Sequence, residues 1–405
     1  MTAASSFRAS GYAWRLFCGA DVIGEHLSSA VARAGGRRAF VLCSPSVNRR
    51  TDTVARITDA LGARFAGVFD EIEHDSTFAS VCRAREAAEE ARADLLIAVG
   101  GGSVIVASRA VAIFLAEKGD PFELMTQYPP GGRPFSPRLD APKLPIINVP
   151  ATPTSAMNRA GTGLKNTQLT QRMEYFDPKT RPQAVLIDDD VLASVPDAVF
   201  RSTATTVFAA AVSSQAPRAS NPLVEADQEQ VFKLAHSAYQ LLADNAADPD
   251  VRRQLTLAAF LQNRAEDDGR ALIRGGAFAG DYAVATALHI RYPHIGQGES
   301  TSVLHAPALR LAPVVDAGEA RRVASALQVG LDEDRTDRLA AAVATELERL
   351  YRANGMPERL RSIGVERDSF EELATGTLKN FNSRSVRGTD EERIANTVAL
   401  LEAAW

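Results

Sequence analysis

The chain is poor in cysteine, and the few cysteines that it has are far apart. Cys18, Cys43 and Cys82 are odd in number and lack the close spacing of a zinc-binding cluster. Small secreted scaffolds and structural zinc sites need paired or clustered cysteines. We therefore expect buried, reduced thiols in a cytoplasmic protein, with neither a disulfide framework nor a structural zinc site.

The sequence also lacks a hydrophobic run long enough to cross a membrane, and its first residues are polar rather than signal-like. Charge of neither sign dominates, because 45 lysines and arginines face 50 aspartates and glutamates, which gives a net charge of -5. A mixed, mildly acidic surface is not typical of a nucleic-acid-binding protein. We expect neither nucleic acid nor a membrane as a partner.

Apolar residues, in contrast, are plentiful: the chain has 405 residues and is 45% hydrophobic, enough for a large core and two domains. In the first half, short apolar runs alternate with helix-like stretches, which predicts βαβ units and a parallel sheet. The predicted strands are 39–43, 65–69, 94–99, 144–149 and 184–187. Beyond Pro196 we find only helix-like stretches, at 199–216, 223–245, 250–263, 269–289, 318–327 and 334–353.

Three consecutive glycines, Gly100 to Gly102, join a short apolar strand to a long apolar helix. Residues without a Cβ let the backbone pass close to a bulky ligand, and the unpaired N–H groups that begin a helix attract a pyrophosphate. Ser103 is predicted to cap this helix. The pattern is neither G-x-G-x-x-G nor a Walker loop, so a tight turn without a ligand remains an alternative.

Together these patterns predict two domains. Residues 1–195 are expected to form an α/β nucleotide-binding domain with a parallel sheet, because strands and helices alternate there. Residues 196–405 are expected to form an all-helical domain, because no strand pattern follows Pro196.

The order of the motifs resembles the iron-dependent alcohol dehydrogenase superfamily, and within it the maleylacetate reductase branch. The resemblance rests on the Ala-Val-Gly-Gly-Gly-Ser turn, a Pro-x-Thr loop after the next strand and an aspartate-ended strand before Leu-Ala-Ser-Val-Pro. Further matches lie at 17–22, 221–223, 355–364 and 400–405. The resemblance implies the fold shared with dehydroquinate synthase, and an NAD(P)-dependent oxidoreductase acting on a small carbonyl, alcohol or oxo acid in an interdomain cleft.

The resemblance also implies a set of cofactor-binding residues. They supply backbone N–H groups, hydroxyls or a ribose contact, and they are Gly101, Gly102, Ser103, Thr152, Ser155 and Arg172. Arg172 falls where family members often have a ribose-contacting lysine. A solvated surface charge is the alternative interpretation of Arg172.

Ser44 is informative because it is not acidic. NAD-specific family members often have an aspartate at this position, whose charge would repel a 2′-phosphate. A serine removes that repulsion, so NADP becomes possible beside NAD. Ser44 precedes Pro45, and a turn-forming role is compatible with the same residue.

The sequence departs from the family at the positions of the metal ligands. The resemblance implies one aspartate and three histidines as ligands, yet the first two positions fall on Thr206 and Ala210. Of the other two, His305 aligns only with a one-residue slip and its partner falls on Ile290. A methyl group cannot bind a cation and a threonine hydroxyl is a poor ligand. A bound divalent metal is therefore not expected.

Without a metal, the alkoxide that forms during hydride transfer needs another stabilising charge or proton donor. A histidinium or an arginine can supply it, and the candidate catalytic residues are His294, His305 and Arg291. His294 matches a non-ligand histidine near the substrate in the family. For each of these histidines, the alternative interpretation is a structural role without catalysis.

Two other functions stay open at this stage. One is a catalytically reduced cofactor-binding or partner protein in a biosynthetic pathway, favoured by the altered ligand positions. The other is a lyase of the dehydroquinate synthase type, which uses nicotinamide transiently. In each case we expect a small-molecule substrate or ligand and a homodimer.

Overall fold

The computed structural model describes residues 6–129, 132–268, 282–312, 315–330, 332, 335–380 and 388–405. The chain divides into two compact units. One comprises Tyr12–Pro196, and the other joins the segment that ends at Gly11 to Asp197–Trp405. The described residues 6–11 therefore group with the C-terminal half and not with the sheet.

The first unit contains a six-stranded parallel sheet and a two-stranded antiparallel hairpin. Its strands are β1 (Arg15–Gly19), β2 (Ala39–Cys43), β3 (Phe65–Phe69), β4 (Leu95–Gly100), β5 (Ile146–Pro150), β6 (Gly161–Leu164), β7 (Met173–Phe176) and β8 (Ala184–Asp188). Its helices are α1 (Val22–Arg33), α2 (Pro45–Arg50), α3 (Thr53–Leu61), α4 (Phe78–Glu90), α5 (Gly102–Ala116), α6 (Pro121–Leu124) and α7 (Asp189–Ala193). This architecture confirms the predicted α/β class.

The large sheet has the strand order β1-β8-β5-β4-β2-β3, and β6 pairs only with β7. Strands β2, β4, β5 and β8 are buried along their whole length, as expected for parallel strands covered on both faces. Ile23 and Leu27 of α1 pack into the same core as Val41 and Ile97 of the sheet. Burial on both faces is the reason that these strands read as unbroken apolar runs.

The register of the sheet brings the carboxyl ends of neighbouring strands to one edge. Cys43 pairs with Val99, and Gly100 pairs with Pro150. From β2 the chain continues to β3 on one side, whereas from β4 it continues to β5 on the other. In an open parallel sheet, ligands bind where neighbouring connections diverge in this way. The residues that follow β2, β4 and β5 therefore emerge together at a topological switch point.

Three strands are absent from the sequence-based prediction. Strand β1 lies at the edge of the sheet and is only partly buried, so it shows no continuous apolar run. Strands β6 and β7 have four residues each, and β6 contains two glycines. Such short segments carry too few side chains for a periodic pattern.

The described residues of the second unit form helices and connecting segments, with no strand among them. Its helices are α8 (Asp197–Ser214), α9 (Pro222–Leu242), α10 (Pro249–Asp267), α11 (Tyr282–Arg291), α12 (Gln297–Leu311), α13 (Ala317–Leu327), α14 (Thr336–Ala353), α15 (Phe370–Gly376) and α16 (Asp390–Ala404). Of the helix predicted at 269–289, residues 269–281 lie outside the described residues. Within the described ranges, no helix is both long and apolar enough to span a bilayer.

Candidate functional site

The glycine turn at the end of β4 leads directly into α5. Gly100 has a φ of 144°, a conformation that favours glycine, and α5 begins at Gly102 with Gly101 as its N-cap. No side chain of the described residues caps this helix. Val104 N already bonds Gly101 O at 3.1 Å, so the N–H groups of Gly102 and Ser103 are the ones that have no acceptor within the helix.

The prediction that Ser103 caps α5 is wrong. Ser103 lies inside the first turn, where its Oγ accepts a hydrogen bond from Asp75 N at 3.1 Å. Its carbonyl oxygen accepts from Ser76 Oγ at 2.7 Å. The serine therefore ties the start of α5 to the segment before α4. Its predicted role at the cofactor stays a prediction.

The loop after β5 approaches the glycine turn closely. A Cβ added to Gly101 would lie 3.4 Å from Thr152 Oγ1, and one added to Gly102 would lie 2.9 Å from Thr154 Oγ1. The structure thus brings the predicted Thr152 beside the predicted Gly101. Ser155 is an exposed residue of the same loop.

Thr152 has a buried hydroxyl without a partner. The residue is 4% exposed, and its Oγ1 has no hydrogen-bond partner among the described residues. A buried, unsatisfied hydroxyl costs about 1–3 kcal/mol. Beside Gly101, such a group fits a ligand that supplies the missing hydrogen bond, and a dinucleotide on the start of α5 meets that description.

Ser44 follows β2 at the same edge of the sheet. It is half-buried at the N-cap position of α2, but its side chain accepts no capping hydrogen bond from the backbone of that helix. Instead, its Oγ lies 3.0 Å from the Oγ of Ser46. Since Cys43 pairs with Val99, Ser44 directly follows the strand that neighbours β4, the strand that ends in the glycine turn.

Arg172 is not a solvated surface charge. Its side chain is 16% exposed and forms an ion pair with Asp75 at 3.3 Å. It also donates to the carbonyl oxygens of Asp75 and Gly163, at 3.4 and 3.3 Å. Because Asp75 donates to Ser103, these contacts connect Arg172 to the start of α5 through one intermediate residue.

Sequence reasoning missed Asp75 and Lys165. Asp75 has a φ of 63°, which is unusual for a residue with a side chain, and its Oδ2 lies 4.0 Å from Lys165 Nζ. Burial lowers the pKa of the Lys165 ammonium, although Asp75 opposes that shift. A signal was present, since charged and polar residues follow a strand at 73–77, but nothing in the sequence connects them to residues 165–172.

The residues at the positions of the family's first two metal ligands do not fit a metal. Thr206 Oγ1 donates to Thr203 O at 2.7 Å within α8, and Ala210 is exposed. Helix α12 packs closely against α8: a Cβ added to Gly298 of α12 would lie only 2.1 Å from Ser202 O of α8. Among the described residues, no group of three or more histidines, cysteines, aspartates or glutamates could hold a metal ion.

The three predicted catalytic residues each bond a different partner. His305 is 1% exposed, and its Nδ1 lies 2.7 Å from Tyr351 Oη. His294 is exposed, and its Nε2 lies 3.0 Å from Ile363 O. Arg291 is exposed and donates to Glu372 at 3.3 Å. Their hydrogen bonds within the described part of the chain lead to Tyr351, Ile363 and Glu372 rather than to one another.

A doubly wound sheet with a glycine turn at its switch point, followed by a helical unit, defines the structural class. The model of the iron-containing alcohol dehydrogenases matches residues 14–189, and the model of the C-terminal part of that family matches 202–405. The chain belongs to the iron-containing alcohol dehydrogenase family and is an oxidoreductase of the alcohol dehydrogenase and reductase type. The family resemblance inferred from the sequence is confirmed.

Curated relatives include reductases. Maleylacetate reductase 2 of Cupriavidus pinatubonensis is 30% identical over 237 residues, which span 58% of this chain and 57% of that protein. Lactaldehyde reductase of Escherichia coli is 22% identical over 384 residues, 94% of this chain and 95% of that one. The structure of maleylacetate reductase from Agrobacterium tumefaciens matches with a TM-score of 0.71 at 18% identity, covering 99% and 98%. That likeness shows the shared fold.

Proposed function

We propose that the protein is an NAD(P)-dependent oxidoreductase that interconverts a small carbonyl compound or oxo acid and its alcohol, without the metal usual in its family. The observation that carries the proposal is the buried, unpartnered hydroxyl of Thr152 beside Gly101, at the switch point of the sheet. The altered residues Thr206 and Ala210 support metal-free chemistry.

The names of the relatives support the substrate class. Maleylacetate is an oxo acid and lactaldehyde is an aldehyde, so both named substrates carry a reducible carbonyl. A further relative, from Bacillus methanolicus, is named an NAD-dependent methanol dehydrogenase, at 19% identity over 90% of this chain. A nicotinamide cofactor and a small carbonyl substrate are therefore the consistent choice.

We assign the cofactor contacts as follows. The N–H groups at the start of α5 bind the pyrophosphate, with Gly101 and Gly102 leaving room for it. Thr152 donates its free O–H to the same ligand. When bound, the nicotinamide ring supplies or accepts the hydride. Ser155 and Arg172 contribute further polar contacts from the loops beside the turn.

We propose that a protein side chain supplies the proton that accompanies the hydride. A carbonyl oxygen only accepts, so the His294 Nε2 that faces Ile363 O carries the hydrogen, and Nδ1 remains to take up or release a proton. His294 is therefore the proposed proton donor. The exposed guanidinium of Arg291 is proposed to bind a substrate carboxylate.

His305 has a different proposed role. Its burial and its bond to Tyr351 favour an indirect role over direct contact with a substrate. Burial also raises the pKa of Tyr351 well above its usual range, so the phenol stays protonated. We propose that His305 acts indirectly, by fixing helix α12, on which it lies, to α14 through Tyr351.

Replacing Thr152 by valine tests the cofactor site. The variant removes a hydroxyl without changing the size of the side chain, so NADPH and NADH are expected to bind about five- to tenfold more weakly. The ligand-free protein is expected to unfold at the same or a higher temperature, because an unsatisfied buried group is lost. Fluorescence titration and thermal unfolding measure the two quantities.

Thr152→Ser is the matched control for that experiment. Serine keeps the hydroxyl, so the affinity for both cofactors is expected to remain within about twofold of the original, well below the loss of one hydrogen bond. Equal affinities for the valine variant and the original protein would place the cofactor elsewhere.

Cofactor preference depends on Ser44. In Ser44→Asp, the new carboxylate repels a 2′-phosphate and accepts a hydrogen bond from a ribose hydroxyl, so the ratio of the NADPH to the NADH dissociation constant is expected to rise at least about tenfold. Competition titrations with both cofactors measure the ratio. Ser44→Asn controls for size without charge and is expected to leave the ratio nearly constant. An unchanged ratio in both variants would contradict the placement of the ribose.

A further inference from the structure

Side chains bond the backbone along most of the segment from Ala156 to Gly161, which leads from the loop between β5 and β6 into β6. Five carbonyl oxygens of this segment, four in the loop and that of Gly161 at the start of β6, accept hydrogen bonds from side chains that lie elsewhere in the unit. The pairs are Arg109 with Ala156 and with Gly161, Asn148 with Met157, Arg181 with Asn158 and Thr180 with Ala160. This is the loop that carries Thr152 and Ser155.

Arg109 is the residue that bonds two of these carbonyls. Its Nη1 donates to Gly161 O and its Nη2 donates to Ala156 O, across 52 and 47 residues of sequence. The planar guanidinium presents its donors in a fixed fork, which suits two acceptors at once. One side chain thereby fixes both ends of the segment 156–161.

The position of Arg109 connects the loop to the glycine turn. Arg109 lies on α5, seven residues after Gly102, so about 10 Å of rigid helix separates it from the N–H groups at the start of that helix. The same helix therefore begins at the proposed pyrophosphate site and fixes the loop that carries the proposed hydroxyl contacts.

Burying this arginine is costly, which indicates that its contacts matter. Arg109 is 1% exposed, and no ion pair links it to another described residue. Burial lowers the pKa of its guanidinium, and the nearby cations Arg159 and Arg181 lower it further. Its Nε has no hydrogen-bond partner within the described ranges. An apolar residue would avoid this cost, but it could not satisfy the two loop carbonyls.

We infer that Arg109 is a positioning residue that holds the loop 151–161 in the conformation that binds the cofactor. That the loop binds a nicotinamide cofactor rests on the proposed function. That Arg109 orders the loop does not depend on it. Arg109 acts through Thr152 and Ser155 and does not touch the cofactor. Without the two hydrogen bonds of the Arg109 guanidinium, the loop samples other conformations. The apparent affinity for the cofactor then falls, because only a fraction of the molecules has the conformation that binds.

Arg109→Lys tests the inference while keeping the charge. One ammonium group cannot replace a fork that spans two carbonyls, so amide hydrogen exchange across 154–161 is expected to accelerate at least about tenfold. The dissociation constant for NADPH is expected to rise about tenfold, with one cofactor still bound per chain. A merely structural role would instead reduce the fraction of protein able to bind and leave the dissociation constant unchanged.

Two further variants keep the result interpretable. Arg109→Gln removes the buried charge, yet its single amide reaches at most one carbonyl, so the same losses are expected even if the lysine variant folds poorly. Arg38 donates through Nε and Nη2 to Ala91 O, far along the chain from the loop. Arg38→Lys therefore breaks a comparable guanidinium-to-carbonyl contact and is expected to change neither quantity.

The outcomes separate the inference from the proposed function. If the original protein binds neither NADPH nor NADH, the proposed function fails, while hydrogen exchange still decides whether Arg109 orders the loop. If the protein binds cofactor and both Arg109 variants keep the original exchange rates and affinity, the inference is overturned. Faster exchange with unchanged affinity also overturns it, because the loop would then not limit binding.

Discussion

Gly101→Ala is expected to weaken binding of NADPH and NADH by roughly 5- to 150-fold, because a methyl group occupies the space that the pyrophosphate needs. The range corresponds to about 1–3 kcal/mol for crowding in a tightly packed site. Gly101 has φ and ψ of -75° and -172°, which any residue can adopt. Its new Cβ would meet Thr152 Oγ1 only at an ordinary contact distance of 3.4 Å. Calorimetric titration measures the loss.

The choice of Gly101 over Gly102 follows from the structure. A side chain at Gly102 would collide with Thr154 Oγ1 at 2.9 Å, so its effect would mix a distorted loop with a blocked ligand. Gly376→Ala is the control for a glycine replacement at ordinary contact distance, since its Cβ would lie 3.7 Å from Ala287 Cβ. We expect Gly101→Ala to unfold near the temperature of the original protein. Unchanged affinity would mean that the start of α5 does not bind the cofactor.

The sheet could be predicted from the sequence where burial is complete. Strands β2 and β4 appear as unbroken apolar runs because helices cover both of their faces. The hairpin of β6 and β7 could not be predicted, because four residues with two glycines in one strand show no periodicity. Strand β1 was not predicted for a related reason, because this edge strand mixes exposed and partly buried residues.

The candidate site could be predicted only in part. The glycine turn and Thr152 were identified from motifs, and the structure brings them together because β4 and β5 are neighbours in the sheet. The capping role of Ser103 was wrong because Asp75, 28 residues earlier, bonds its hydroxyl instead. Contacts of this kind depend on the tertiary arrangement.

The residues that the sequence did not reveal act across long separations. Arg109 contacts carbonyls about 50 positions later, and Asp75 meets Arg172 across 97 residues. Neither residue belongs to a local motif, and an arginine inside an apolar helix gives no indication of its acceptors. Backbone carbonyls have no sequence signature, so the loop contacts of Arg109 become visible only in three dimensions.

The protein as purified is expected to contain no stoichiometric iron or zinc. The position where the family has its first two metal ligands carries a hydroxyl already bonded within α8 and an exposed methyl group. Two histidines would leave a divalent ion bound mostly to water, which is too weak to survive purification. Elemental analysis measures the metal content, and reductase activity with NADPH is expected to persist in EDTA.

Activity measurements with and without EDTA also test whether a proton donor, rather than a metal acting as a Lewis acid, stabilises the alkoxide. If His294 supplies the proton, His294→Ala is expected to lower kcat about hundredfold, in the range for general acid catalysis, with or without EDTA. His305→Ala is expected to lower activity through stability, because it removes the bond to Tyr351 and leaves a cavity. One metal per chain, with activity lost on chelation, would contradict the prediction. The assignment of Thr206 and Ala210 to the ligand positions would then be wrong.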